Sequence, residues 1–241
     1  MLDNRLVNFI AHAKHKKIEL ITITTNGTLI EEKGRELFEA GLNRMTISID
    51  GATPETYRKI RGADLEKVER GVRKCVEYAR EINVRGGKIE MQLNCVLVNR
   101  EVFNEKDLYL EKWKDCRDVI KNIYFTDLTI SNTKGRLNKN NVSCSDVCSL
   151  PWLGFQVDVY GNVSVCCTMQ DSSLREELVS VGNIYEHSSY DIWRSELIKK
   201  LRRENLMQKY CRFEICKDCI ERYKMYTNNE GILDNLIIQL K

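Results

Sequence analysis

Ten cysteines occur in 241 residues, and four of them stand where their thiolates could share one centre. Cys148 lies ahead of a short apolar stretch, Cys166 follows Gly161 in a Gly-x4-Cys pattern, and Cys216-Lys217-Asp218-Cys219 supplies a close pair downstream. A tetrahedral metal ion or an iron-sulfur cluster takes about four thiolates, and a Cys-x2-Cys turn brings two sulfurs to one centre without strain. Spacing does not separate zinc from iron-sulfur, since both use sites of four cysteine thiolates. Cys75, Cys95 and Cys116 have no such neighbours and read as small buried hydrophobes. Cys167 is excluded from the site because successive strand residues point to opposite faces, so it and Cys166 would not aim at one centre. Cys144 and Cys211 are placed outside the site as well, the Cys-x2-Cys pair being the tighter chelating unit.

The elements that must position these thiols follow from periodicity. Leu6, Val7, Ile10 and Ala13 recur at helical spacing between Asp3 and Lys17, and Ile18 to Ile23 reads as a strand. A helix over 31–40, a strand over 45–49, a helix over 65–82, a strand over 88–98, a helix over 105–119 and a strand over 123–130 continue the alternation. Strands separated by helices of this length pair in parallel through right-handed crossovers, which predicts an α/β sheet or partial barrel. The grammar changes at Ser131. Residues 131–147 are rich in Asn, Ser and Lys and read as a linker, after which Phe155 to Val159 and Val163 to Val165 flank Tyr160-Gly161-Asn162 as a hairpin. Helical pattern returns over 189–204 and again over 220–241.

Composition narrows the function classes. Hydrophobic residues at 42% and charged residues at 30% describe an ordinary folded chain, and 38 Lys and Arg against 35 Asp and Glu give no electrostatic case for nucleic acid. The basic run Lys199-Lys200-Leu201-Arg202-Arg203 is interleaved with Glu196 and Glu204 and reads as a solvated helix face. No apolar run approaches the roughly 18 residues of a membrane span and no signal-peptide pattern opens the chain. The expectation is therefore a cytoplasmic protein with neither membrane nor nucleic acid as partner. His12, His15 and His187 lack companions at metal-site spacing, and no phosphate-binding glycine loop occurs.

The run Cys148-Ser149-Leu150-Pro151-Trp152, then Gly161 to Cys167, Gly182-Asn183-Ile184, Asp191-Ile192-Trp193 and Cys216-x2-Cys219 resembles the SPASM or twitch extension of radical S-adenosylmethionine enzymes. The likeness covers most of residues 144–223 and implies one auxiliary 4Fe-4S cluster on Cys148, Cys166, Cys216 and Cys219, as in the shorter twitch form. The front half is similar to the same superfamily: Thr25-Asn26-Gly27 and Ser48-Ile49-Asp50-Gly51, with Thr53 to Tyr57 following, look like its third and fourth barrel strands. In such barrels polar residues at the C-terminal strand ends face the site, which makes Asn26, Ser48, Asp50 and Asn94 the candidate cofactor-binding residues. Each of them taken alone is also an ordinary cap or turn residue.

The resemblance departs at one place. The superfamily's Cys-x3-Cys-x2-Cys, expected before the first strand seen here, is absent, and after Cys144-x3-Cys148 the next required position holds Pro151. The Gly-Gly-Glu-Pro segment is missing too. These departures imply an N-terminally truncated chain: a partial parallel β/α barrel over 1–135, a small iron-sulfur domain with a hairpin and helices over 144–223, and a tail over 224–241. A full-length parent would use S-adenosylmethionine and a reductant protein to abstract hydrogen from a peptide or small-molecule substrate. This chain alone is expected to be inactive. The reading from a different class is a non-catalytic module that holds zinc or iron-sulfur on four cysteines and binds a partner.

Overall fold

The computed structural model describes residues 3–127, 148–166 and 180–207. The chain divides into two compact units, 1–128 and 129–241. In the first, four strands, β1 (Thr22–Thr25), β2 (Arg44–Ser48), β3 (Glu90–Leu97) and β4 (Ile120–Asp127), form one sheet in the order β1-β2-β3-β4, every neighbouring pair parallel. Helix α1 (Leu6–His15) precedes β1, and α2 (Ile30–Glu39), α3 (Pro54–Arg61), α4 (Leu65–Val84), α5 (Arg100–Asn104) and α6 (Lys106–Lys112) supply the crossovers. This is the α/β strand-helix repeat expected from periodicity.

Local chemistry sets the boundaries. Thr53 and Asp64 cap α3 and α4 by accepting hydrogen bonds from Thr56 N–H and from Glu66 and Lys67 N–H, and Pro54 occupies the first turn of α3 where its missing donor costs nothing. Gly62, left-handed at φ 64°, ends α3. One face of α4, carrying Leu65, Val68, Val72, Cys75, Val76 and Ala79, is buried against the sheet side formed by residues such as Met45, Ile47, Met91, Leu93 and Cys95. Gly34 and Gly71 let α2 and α4 approach closely, since a methyl group at Gly34 would meet Cys75 Sγ and one at Gly71 would lie 2.8 Å from Ile30.

Several boundaries differ from the periodicity reading, β4 for instance starting at Ile120 rather than at the expected 123. The strand expected at Ile18 begins only at Thr22, because the amides of Lys16, Lys17 and Ile18 are spent closing the last carbonyls of α1. The single helix expected over 105–119 is α5, α6 and a short 3₁₀ turn at Lys114–Cys116, with Asn99 capping α5 by accepting from Val102 N–H. The helix expected over 189–204 is two helices, α8 (Ser189–Trp193) and α9 (Glu196–Leu206), because Ser195 caps a fresh start by accepting from Ile198 N–H.

In the second unit, α7 (Leu150–Leu153) precedes a three-stranded antiparallel sheet of β5 (Gln156–Val157), β6 (Asn162–Ser164) and β7 (Gly182–Asn183). The turn between β5 and β6 is held by Asp158, whose carboxylate accepts from Tyr160 and Asn162 N–H, and Gly161 takes the left-handed φ of 81° that this turn requires. Val163, Val165, Val181, Ile192, Ile198 and Leu201 form the unit's own core, with Phe155, Cys166 and Leu197 packed on it. The expected linker over 131–147 and the helix over 220–241 lie outside the described residues.

Candidate functional site

In the first unit β2, and β3 over residues 90–95, alternate between an apolar face under the helices and a polar face. Arg44, Thr46 and Ser48 of β2 alternate with buried Met45 and Ile47, while Glu90, Gln92 and Asn94 of β3 share the polar side. Cross-strand bonds confirm the shared face: Arg44 pairs with Glu90 at 2.9 Å, Thr46 Oγ1 lies 3.3 Å from Gln92 Oε1, and Thr126 Oγ1 donates to Asn94 Oδ1 at 3.0 Å. Register places Thr24, Thr46, Gln92 and Asn122 in one row and Ser48, Asn94 and Tyr124 in the next. A parallel sheet covered on both sides reads as unbroken apolar runs, so a face this polar is built to meet something other than a core. Thr46, Gln92 and Thr126 were not singled out from the sequence; the alternation in Arg44-Met-Thr-Ile-Ser and Glu90-Met-Gln-Leu-Asn carries the signal.

The candidate residues at the strand ends differ in what they have left to offer. Ser48 ends β2 and Asn94 pairs with it in register, both half-buried. Asn26 is exposed, and its side-chain carbonyl accepts from Thr28 N–H at 3.2 Å and Thr28 Oγ1 at 3.0 Å, so one half of the amide shapes the turn. Asp50 is 3% exposed and committed to the scaffold: Oδ1 accepts from Val96 N–H at 2.8 Å and Oδ2 pairs with Arg61 at 2.6 Å. The loop after Asp50 is tied down by Glu105, whose carboxylate accepts from Ala52 N–H, Thr53 N–H, Thr53 Oγ1 and Thr56 Oγ1. Burial alone would raise its pKa, yet these bonds together hold it below the ordinary glutamate value.

The cysteines fall into two kinds. Cys75, Cys95 and Cys116 are buried in the first core, and burial pushes the thiols of Cys75 and Cys95 up to about 12 and about 11. Such thiols stay protonated and are poor metal ligands. Cys148 and Cys166 lie in the second unit, each half-buried, and their main chains are held by side chains: Asn205 accepts from Cys148 N–H and donates to Cys148 O, and Ser164 Oγ donates to Cys166 O at 3.2 Å. Partly buried cysteines on a fixed backbone are a donor set that fits a thiolate-bound cluster. β6 ends at Ser164, so strand alternation does not reach Cys166 and no longer argues for it. Cys144, Cys167, Cys211, Cys216 and Cys219 lie outside the described residues. Among the described residues no group of three or more His, Cys, Asp or Glu is arranged to hold a metal ion, and no helix is long and apolar enough to cross a membrane.

The radical SAM superfamily matches residues 2–91, and the SPASM iron-sulfur cluster-binding domain matches residues 148–220. The chain belongs to the radical S-adenosylmethionine superfamily and carries a SPASM segment. A probable GTP 3',8-cyclase of Methanococcus vannielii is 42% identical over 71 residues, covering 30% of this chain and 24% of that protein. The GTP 3',8-cyclase of Alkaliphilus oremlandii is 39% identical over 100 residues, 41% of this chain and 29% of that one. This radical SAM chain thus spans less than a third of the length of those relatives. Among solved structures, Streptococcus suis SuiB bound to S-adenosylmethionine shares the fold at a TM-score of 0.52 and 13% identity, over 81% of this chain and 52% of SuiB. SuiB bound to its precursor peptide SuiA gives a TM-score of 0.51 at 13% identity, over 81% of this chain and 52% of that one.

Proposed function

We propose that this chain is the C-terminal part of a radical S-adenosylmethionine enzyme that binds one auxiliary 4Fe-4S cluster on Cys148, Cys166, Cys216 and Cys219. The observation that carries the reading is the contrast among cysteines: those of the first unit are buried in its core, whereas Cys148 and Cys166 are only partly buried, on hydrogen-bonded backbone within the SPASM match. In the working enzyme S-adenosylmethionine supplies the radical that abstracts hydrogen and the auxiliary cluster supplies one-electron transfer or a substrate anchor.

The chain's own residues divide the remaining work. Asn26, Ser48 and Asn94 offer uncharged donors and acceptors to the polar cofactor at the C-terminal strand ends, and Asp50 holds the loop beneath it through Val96 and Arg61. Thr24, Thr46 and Gln92 continue that polar face one row further back from the strand ends. The substrate is a peptide or small molecule; the solved neighbour bound to a precursor peptide and the nucleotide-cyclase relatives support one class each. A reductant protein delivers electrons, the enzyme works in the cytoplasm, and its parts are the barrel portion 1–135, the cluster domain 144–223 and the tail 224–241.

Iron and acid-labile sulfide assays on anaerobically purified protein test the reading. Replacing Cys148, Cys166, Cys216 or Cys219 by Ala should abolish the cluster, and Cys167→Ala should leave it intact. One equivalent of zinc without sulfide, or a cluster that survives Cys166→Ala but not Cys167→Ala, defeats the assignment.

A further inference from the structure

Helix α9 buries Ile198, Leu201 and Asn205 along one stripe. The first two belong to the apolar core of the unit; the third is a carboxamide only 6% exposed, at a position where another aliphatic residue would pack. A buried amide needs partners for its oxygen and its nitrogen. Asn205 finds both on one distant residue: Oδ1 accepts from Cys148 N–H at 3.0 Å and Nδ2 donates to Cys148 O at 3.0 Å. One turn earlier on the same face, Arg202 Nε donates to Pro151 O at 2.9 Å while its guanidinium lies 4.2 Å from the Trp193 ring centroid. The helix therefore grips the segment from Cys148 to Pro151 at two points.

We propose that Asn205 is a positioning residue for the cluster: it fixes the main chain on both sides of the Cys148 Cα, and with it the direction in which the Cys148 side chain leaves the backbone, before iron arrives. This rests on the four-cysteine reading above and adds a residue outside the ligand set. The two hydrogen bonds hold the peptide on either side of the Cys148 Cα, which restrains the main-chain rotations at that residue, so the thiolate donor needs little ordering when the site fills. They also orient the two peptide dipoles that flank the Cys148 Cα, which contribute to the potential of the cluster. Ser164, 3% exposed and bonded to Cys166 O, does the same for a second ligand in smaller measure.

The test uses the full chain, reconstituted anaerobically, in four forms: wild type, Asn205→Ala, Asn205→Asp and Leu201→Ala. Asn205→Asp keeps the side-chain volume and the acceptor to Cys148 N–H but loses the donor to Cys148 O. Leu201→Ala weakens the same helix without touching Cys148. Iron release to a chelator should accelerate roughly tenfold or more in Asn205→Ala, the range seen when groups that orient metal ligands are removed. The reduced cluster of Asn205→Asp should show altered electron paramagnetic resonance g values and a more negative midpoint potential. Leu201→Ala should lower the melting temperature and leave the spectrum as in wild type. The proposal is overturned if both Asn205 variants hold iron with wild-type release, spectrum and potential, or if Leu201→Ala reproduces their changes. If wild type holds zinc and no sulfide, the iron-sulfur reading falls, and the chelator comparison with zinc still decides whether Asn205 positions Cys148.

Discussion

Asp50 shows why a polar residue at a strand end need not face the ligand. Its two carboxylate oxygens are consumed by Val96 N–H and Arg61, with the aspartate side chain 4% exposed and the arginine 32%. Asp50→Asn keeps an acceptor for Val96 and strands the Arg61 charge. Unfolding in urea should show a loss of about 3 kcal/mol, the low end for breaking a buried pair because Arg61 still reaches water. Ser48→Ala, on the open polar face of the neighbouring strand, should cost no more than about 0.5 kcal/mol. Equal losses at the two positions would place Asp50 with the ligand-facing residues rather than with the scaffold.

At the scale of elements, the junction of α5 and α6 is organised by one carboxylate. Glu105 is held below its ordinary pKa of 4.5, so its bonds to Ala52, Thr53 and Thr56 contribute stability that is present above the unfolded value and is lost as pH falls through the lower folded value. Urea midpoints measured on acidification should therefore fall more steeply for wild type than for Glu105→Gln, with the two curves converging at low pH. Parallel curves would remove Glu105 from this role. The contact of α2 with α4 makes a second prediction. A methyl group at Gly34 would meet Cys75 Sγ, so Gly34→Ala should destabilise by about 1–3 kcal/mol, as overpacking does. Adding Cys75→Ala removes the obstructing atom and should recover stability, because alanine is also the better helix former at position 34. Additive losses in the double variant would show that the close approach is not limited by that sulfur.

For the molecule as a whole, the two units carry different chemistry, one offering a polar sheet face and the other partly buried cysteines outside the first core. Within these 241 residues no Cys-x3-Cys-x2-Cys sequence occurs, and the site proposed here is filled by four protein thiolates with no coordination position left open. Incubated anaerobically with reductant and S-adenosylmethionine, this polypeptide should give no 5'-deoxyadenosine above background. Clear turnover would mean that another set of its ten cysteines binds the cleaving cluster.

What the sequence determined by itself was the class of the chain. Alternation of helix and strand implied a parallel sheet, the ordered motifs from Thr25 to Tyr57 and from Cys148 to Cys219 marked the superfamily, and isolated cysteines such as Cys75 read as core. These features are local or periodic, and a pattern along the chain is enough to express them. Tertiary structure decided how each polar residue is spent. That Asn26 turns half its amide to Thr28, that Asp50 is closed by Arg61, and that Asn205 grips a peptide far away in sequence depend on which elements meet in space. A hydrogen bond between residues 57 positions apart leaves no trace in local periodicity except one amide on an otherwise apolar helical stripe.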